Sequence, residues 1–139
     1  MNNVRLSQLL KDYPVTVCAA DQLRVIRGQF VIANTDTSGG PGKHWVGFYF
    51  PERRPFEFFD SLGENPTYYG VGFEDKLGQP YRRLIHRVQS KTSDTCGHYC
   101  VYYVAERSKG RSMADIVSRF NVKRTNKNDN VVRQYVEDL

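Results

Sequence analysis

The sequence predicts an α+β fold in which a mixed, mostly antiparallel sheet is flanked by helices. Two observations support this class. The middle of the chain carries short runs of β-branched and aromatic residues between turn-forming residues, whereas the last third carries apolar residues at three- and four-residue steps. With 139 residues and no repeat or linker, the chain is expected to form one domain over residues 1–139.

The first half is predicted to hold one helix and three strands. The helix follows from apolar residues at near-helical spacing ahead of a proline, and the strands follow from the β-branched and aromatic runs. These elements are expected at residues 4–12, 29–34, 44–50 and 56–60. A short proline-containing connection joins the last two strands, so they are expected to pair as an antiparallel hairpin.

The second half is predicted to begin with a loop and to continue with one strand and three helices. Glycine and proline are dense over residues 61–79, which favours a long ordered loop with at most a short helix. A strand is expected over residues 81–89. Helices are expected over residues 96–107, with one buried face, over 112–120, and from a cap at Asn128 to the C terminus.

Charge and cysteine content narrow the class of protein. Lys and Arg number 20 against 15 Asp and Glu, a net charge of +5 that favours acidic partners such as nucleic acid. Three cysteines, an odd number, in a chain long enough to bury a core favour an intracellular, reducing compartment and a protein that is not secreted. The apolar run Trp45 to Phe50 is far too short to span a membrane.

Four residues spaced along the chain supply the groups that a nucleophilic cysteine needs. Cys96 begins a predicted helix, where the positive end of the helix dipole stabilises a thiolate, and Gly97 after it admits a substrate backbone. His44 begins one strand of the hairpin and Asp60 ends the other, so a base and its orienting carboxylate are expected at one sheet edge. The amide of Gln89 is expected to face the oxyanion.

This ordered set resembles a known family. His44-Trp45, then Asp60 at a strand end, then Gln89 and, after six residues, Cys96-Gly97 resemble the adenain family, the cysteine proteases of adenoviruses. The wider clan of SUMO-specific and related viral proteases shares the pattern. The segments that carry the resemblance are GGPGKHWVGFYF, FFDSLG and VQSKTSDTCGHYC.

The resemblance implies an adenain-like fold with the nucleophile at the N terminus of a central helix. It implies a viral maturation protease that cleaves precursor polypeptides at Gly-containing sites. Cys96 is then the nucleophile, His44 the general base and acid, and Asp60 the residue that fixes the imidazole tautomer. Gln89 and the Cys96 N–H form the oxyanion hole, and Trp45 walls the site and contacts the substrate backbone.

The resemblance also carries expectations about partners and location. A monomer without metal, cofactor or membrane anchor is expected in the virion or the nucleus of the infected cell, with a peptide and DNA as the activators to consider. The sequence departs from adenain in having Asp60 in place of a glutamate, although aspartate is usual in the wider clan. No cysteine lies between Asp60 and Gln89, so the disulfide to an activating peptide cannot be carried over.

Two alternatives remain open. A deconjugating protease for ubiquitin-like modifiers would use the same residues. A basic nucleic-acid-binding module would instead have structural Cys and His residues, and Cys100 is in any case expected in the core, with Cys18 also buried. The basic residues that would contact nucleic acid are Lys109, Arg111, Arg119, Lys123, Arg124 and Lys127.

Overall fold

The computed structural model describes all residues from Met1 to Leu139 and contains one five-stranded sheet, five α-helices and two short 3-10 helices, Ala20–Gln22 and Pro66–Tyr69. The strands are β1 (Val15–Cys18), β2 (Gln29–Asn34), β3 (Trp45–Phe50), β4 (Phe56–Phe59) and β5 (Tyr81–Arg83). The helices are α1 (Asn3–Leu9), α2 (Phe73–Leu77), α3 (Cys96–Ser108), α4 (Met113–Ser118) and α5 (Thr125–Glu137). None of these helices has the length and apolar character needed to cross a bilayer.

The sheet has the strand order β1-β2-β3-β4-β5 and is mixed, which confirms the predicted fold class. The three central strands are antiparallel, and each edge strand runs parallel to its neighbour. The predicted hairpin of β3 and β4 is present, with Gly47 opposite Phe59. Because His44 directly precedes β3 and Asp60 directly follows β4, both residues lie at the same edge of the sheet.

Both faces of the sheet are covered, which explains why the central strands are almost continuously apolar. One face packs against α3, supported by α1, α4 and α5. The other face carries a cluster of phenylalanines from β3 and β4 that packs against Phe73 and Leu77 of α2. Helix α2 is the short helix expected within the long loop of residues 61–79.

Helix α3 lies at the centre of the molecule, against β3. It was expected to bury one face, but it is buried on nearly all sides because the sheet and three helices surround it. A Cβ atom added at Gly47 would lie 3.2 Å from the ring of Tyr103, so the missing side chain lets α3 approach the sheet closely. Tyr103 also stacks on Phe59, with ring centroids 4.6 Å apart.

Two secondary-structure predictions are corrected, and one strand was not predicted. The strand predicted over residues 81–89 is only the three-residue β5, because the N–H groups of Val88 and Gln89 donate to the Ser61 carbonyl and not to a neighbouring strand. Strand β1 has no counterpart in the prediction. Asn128 is not a helix cap, since α5 begins three residues earlier, at Thr125. The Asn128 side chain instead forms hydrogen bonds with the backbone of Asn121.

A buried carboxylate engages half of the basic residues that were predicted to contact nucleic acid. Glu106, 5% exposed, pairs with Lys109 at 3.0 Å, with Arg111 at 3.4 Å and with Arg119. One carboxylate offsets only one of these three positive charges, and the side chains of Lys109 and Arg111 are about half exposed. A nucleic-acid role for the three cations stays a prediction. Lys123, Arg124 and Lys127 are exposed, and a nucleic-acid role for them stays a prediction.

We expect Glu106→Gln to destabilise the protein by about 1–3 kcal/mol at pH 7, because it leaves charge-assisted hydrogen bonds unmade. Burial opposes ionisation, but the bonds from Arg119 and Lys109 outweigh it and lower the pKa of Glu106 from 4.5 to about 2. A lowered pKa stabilises the fold fully above 4.5, and this contribution is lost as pH falls towards 2. Urea unfolding should show the difference between the two proteins shrinking over that window. A difference that is constant with pH would contradict this assignment.

Candidate active site

The sheet edge at the start of β3 brings together three of the residues singled out in the sequence. The Nε2 atom of His44 donates to Oδ1 of Asp60 at 2.7 Å, and the Asp60 side chain is fully buried. The thiol of Cys96 lies close enough to the imidazole for each group to shift the pKa of the other. Since Nε2 is engaged by the carboxylate, Nδ1 is the ring nitrogen left for the sulfur.

The thiol and the imidazole shift each other's proton affinity. Burial disfavours the imidazolium, but the hydrogen bonds with Asp60 and Cys96 outweigh it and raise the pKa of His44 to about 9. Burial also disfavours the thiolate, yet the bond and charge of His44 and the backbone of Trp45 and Gly97 lower the pKa of Cys96 below its ordinary value. A thiolate and imidazolium pair is therefore the favoured state near neutral pH.

The N terminus of α3 is open where Cys96 lies. Cys96 is the first residue of the helix, and the preceding residue, Thr95, makes no side-chain cap bond to it. The N–H groups of the first turn have no partner within a helix, so the backbone at Cys96 is left able to donate to a negatively charged atom.

The carboxylate of Asp60 is held by three donors besides His44. The hydroxyl of Tyr69 donates to Oδ2, and the N–H groups of Leu62 and Glu64 donate to Oδ1 at 3.0 Å and Oδ2 at 3.3 Å. The Tyr69 ring also stacks against His44, with centroids 5.9 Å apart. Burial and then the Asp60 charge raise the pKa of Tyr69, so its hydroxyl remains a donor. The sequence carried no signal for Tyr69, which ends the short 3-10 helix Pro66–Tyr69.

Gln89 lines the same cleft as His44 and Cys96. Its side chain is buried and held at both ends, since Oε1 accepts from the Ser61 hydroxyl at 2.5 Å and Nε2 donates to the Ser93 carbonyl at 3.0 Å. An amide nitrogen carries two hydrogens, so one remains after the bond to Ser93.

The cleft has a volume of about 770 Å³, and Trp45 is one of the residues that line it. The indole N–H of Trp45 donates to the Met1 carbonyl at 2.9 Å. A contact of Gly97 with substrate stays a prediction. A Cβ there would lie 3.1 Å from the Cβ of Met1 and 3.6 Å from Leu6, so the N-terminal segment occupies the space beside Gly97.

The segment before His44 is held by side chains that the sequence did not indicate. Oδ1 of Asn34, at the end of β2, accepts from the N–H groups of Asp36 and Lys43, both at 2.9 Å. Oδ2 of Asp36 accepts from Gly42 at 3.1 Å. These bonds close the loop of residues 35–43 and thereby fix the position at which His44 enters β3.

The other two cysteines differ from Cys96 in their surroundings. Cys100 is 1% exposed and lies in the core, as predicted, and burial holds its pKa well above the ordinary value. Cys18 was expected to be buried but is only half-buried. Burial and the charge of Asp21 raise its pKa to about 11. No three His, Cys, Asp or Glu side chains of residues 1–139 converge in a way that could hold a metal ion.

Comparison with known proteins was made by sequence and by structure. No family model matches the chain. The chain is 26% identical over 125 residues to the "SUMO-1 cysteine protease S273R" of an African swine fever virus isolate from Namibian warthog, which covers 75% of this chain and 46% of the relative. The "Cysteine protease S273R" of the Badajoz strain gives the same identity and coverage. The crystal structure of the African swine fever virus pS273R protease superposes with a TM-score of 0.60 at 17% identity, covering 92% of this chain and 65% of that one.

The chain is similar to viral cysteine proteases. It spans about half the length of these curated relatives, and the structural likeness independently supports the fold. The wider part of the resemblance drawn from the sequence, to SUMO-specific-like viral proteases, is therefore supported. Membership of the adenain family itself stays a prediction.

We expect Cys96 to react with iodoacetamide at pH 6 on the order of 10-fold or more faster than Cys18 and Cys100, because an ordinary thiol is almost wholly protonated there. His44→Ala should remove this advantage, whereas His86→Ala, at an exposed loop position, should not. Peptide mass spectrometry on timed samples measures the three rates. Equal rates at all three cysteines would rule out an activated thiol.

We expect Tyr69→Phe to raise the pKa of His44 further, by roughly one unit, because Asp60 loses a donor and its charge then acts more strongly on the imidazole. NMR titration of the imidazole nitrogens measures this directly. Tyr68→Phe is the matched control, since the neighbouring Tyr68 is 68% exposed. An unchanged titration in Tyr69→Phe would show that the hydroxyl does not tune the pair.

Proposed function

We propose that this chain is the catalytic domain of a viral cysteine endopeptidase. The observation that carries the proposal is the contact of His44 with both Asp60 and Cys96 at an open helix N terminus. The similarity to viral proteases named for cysteine protease activity agrees with it. Such an arrangement generates a thiolate, orients its base and leaves backbone donors free. Acyl transfer requires all three of these features.

In the proposed reaction the Cys96 thiolate attacks the scissile carbonyl carbon and forms a carbon–sulfur bond. The carbonyl oxygen becomes an oxyanion, which accepts from the Cys96 N–H and from the remaining N–H of Gln89. When the carbon–nitrogen bond breaks, protonated His44 gives its Nδ1 proton to the leaving amine. His44 then takes a proton from water, which attacks the acyl-enzyme and releases the new carboxylate and Cys96.

The electrostatics define the expected pH range of this reaction. The imidazolium is needed to protonate the leaving amine, so activity falls as pH rises through about 9, the pKa of His44. On the acid side, activity falls where the thiol becomes protonated. Because the pKa of Cys96 is lowered by His44, this limb lies below the range of ordinary thiols.

We propose Gly-containing viral precursor polypeptides as substrates. A ubiquitin-like conjugate is the second candidate, because one relative is named a SUMO-1 cysteine protease. Cleavage of Gly-Gly peptides from viral precursors, compared with release of SUMO from a conjugate, distinguishes the two. A role in virion maturation, a location in the virion or infected nucleus, and activation by a peptide or DNA belong to the same proposal.

The nucleic-acid-binding alternative has less support, because the relatives that the chain resembles are named cysteine proteases. Three of its six basic residues share the single carboxylate of Glu106, and Lys123, Arg124 and Lys127 are exposed. A protein that binds nucleic acid through a basic track loses affinity steeply as salt rises. Binding that is strong, steeply salt-dependent and unaffected by Cys96→Ser would favour this alternative.

We expect Cys96→Ala to abolish peptide cleavage and His44→Ala nearly to do so, because the nucleophile or its base is missing. Asp60→Asn should retain weak activity, with kcat lowered on the order of 10³- to 10⁴-fold, because a misoriented base still operates. His86→Ala, at an exposed loop position, is the control and should retain full activity. Steady-state cleavage of a Gly-Gly peptide measures all four variants, and full activity in Cys96→Ala would refute the mechanism.

A further inference from the structure

Asp129 links the C-terminal helix to the loop that carries Gln89 and Cys96. It lies on α5 and is 2% exposed. Its Oδ1 atom accepts from the Tyr99 hydroxyl at 2.7 Å, from the Thr95 hydroxyl at 3.2 Å and from the Ser90 N–H at 3.4 Å. One carboxylate oxygen therefore contacts the residue after Gln89 and the residue before Cys96.

Two further side chains of α5 hold the same loop. Thr125 accepts a hydrogen bond from the Ser90 hydroxyl at 3.1 Å. Nδ2 of Asn128 donates to the Val88 carbonyl at 3.0 Å. The loop of residues 88–95 is therefore anchored to α5 at both of its ends, and Asp129 is the member of this set that contacts both ends at once.

The bond to Thr95 has a consequence for the helix that Cys96 begins. Threonine before a helix commonly accepts a bond from the first turn through its hydroxyl. Here the Thr95 hydroxyl donates to Asp129 and lies 2.7 Å from the Ser93 hydroxyl, and it makes no cap bond to α3. Thr95 therefore leaves the N–H groups of the first turn of α3 uncapped at the cleft.

We propose that Asp129 is a positioning residue for the oxyanion hole, holding Gln89 and the open N terminus of α3 in register with each other. This inference rests on the proposed protease function. Donors to an oxyanion act only when they lie about 2.7–3.1 Å from it, so a small shift of either donor lowers the rate of acyl transfer.

In the same geometry, formation of the thiolate and stabilisation of the oxyanion depend on different parts of the fold. The His44 and Asp60 side chains are held by the β3–β4 hairpin and the loop after it, which Asp129 does not touch. Formation of the thiolate should therefore survive loss of the Asp129 contacts. Peptide cleavage, which needs the oxyanion donors, should not. Alkylation of Cys96 has no oxyanion and reports formation of the thiolate alone.

The experiment compares Asp129→Ala, Asp129→Asn and, as the control, Glu137→Ala at an exposed position of the same helix. In Asp129→Ala we expect kcat for a Gly-Gly peptide to fall on the order of 10- to 100-fold. KM should change by less than about threefold, and the iodoacetamide rate of Cys96 by less than about twofold. Asp129→Asn keeps an Oδ1 acceptor and should recover most of the activity, and Glu137→Ala should resemble the wild type.

Thr95→Val covers the case in which Asp129→Ala does not fold, as judged by circular dichroism. It removes the hydroxyl that links the loop to Asp129 and should lower kcat about 5- to 10-fold with alkylation intact. An unchanged kcat in Asp129→Ala, or in Thr95→Val when Asp129→Ala is unfolded, would overturn the inference. So would a parallel loss of cleavage and alkylation in a folded variant. Wild-type protein that shows neither Cys96-dependent cleavage nor fast alkylation would instead refute the proposed function.

Discussion

The close packing of α3 on the sheet is the constraint on which the site depends. Tyr103 packs over Gly47 and against the rings of Phe30 and Phe59, and its hydroxyl donates to the buried carboxylate of Glu57 at 2.7 Å. Arg107, one turn further along, pairs with the same carboxylate at 2.7 Å. Cys96 lies about 10 Å along the helix axis from Tyr103. Because the helix is buried nearly all round, it cannot shift without disturbing the core, and its first residue is therefore fixed beside the start of β3.

Two separate parts of the fold hold the two halves of the site. The hairpin of β3 and β4 and the loop after it hold His44 and Asp60, with Tyr69 completing the bonds to the carboxylate. Helix α3 and the loop before it hold Cys96 and Gln89, and α5 supports that loop. The two halves meet in the pairing of sulfur and imidazole, where each charge offsets the cost of burying the other.

The net charge of the chain is a poor guide to how many positive charges are free at its surface. Glu106 pairs with three cations from the C-terminal third of the chain, and the buried Glu57 pairs with Arg107. These contacts join α3 to α4, to the segment between them and to the sheet, so part of the basic excess has a structural use. A count of charges along a chain cannot separate such cations from exposed ones, because the difference lies in which carboxylate the fold brings near them.

The sequence predicted the order and local context of His44, Asp60, Gln89 and Cys96. It also predicted the hairpin, the helix that begins at Cys96 and the core position of Cys100. Each depends on residue type, periodicity or turn chemistry within about ten residues, which a single sequence displays. The tertiary structure alone decided the presence of the parallel strand β1 and the shortness of β5. It also decided the contact of Met1 with Gly97 and the pairing of Glu106. The roles in which Tyr69 and Asp129 are placed depend on it as well. Asp129 and Thr95 are 34 residues apart in the chain, and neither has a local pattern that indicates the other. Contacts of this kind exist only once the helices have packed, because it is packing and not local propensity that brings the side chains together.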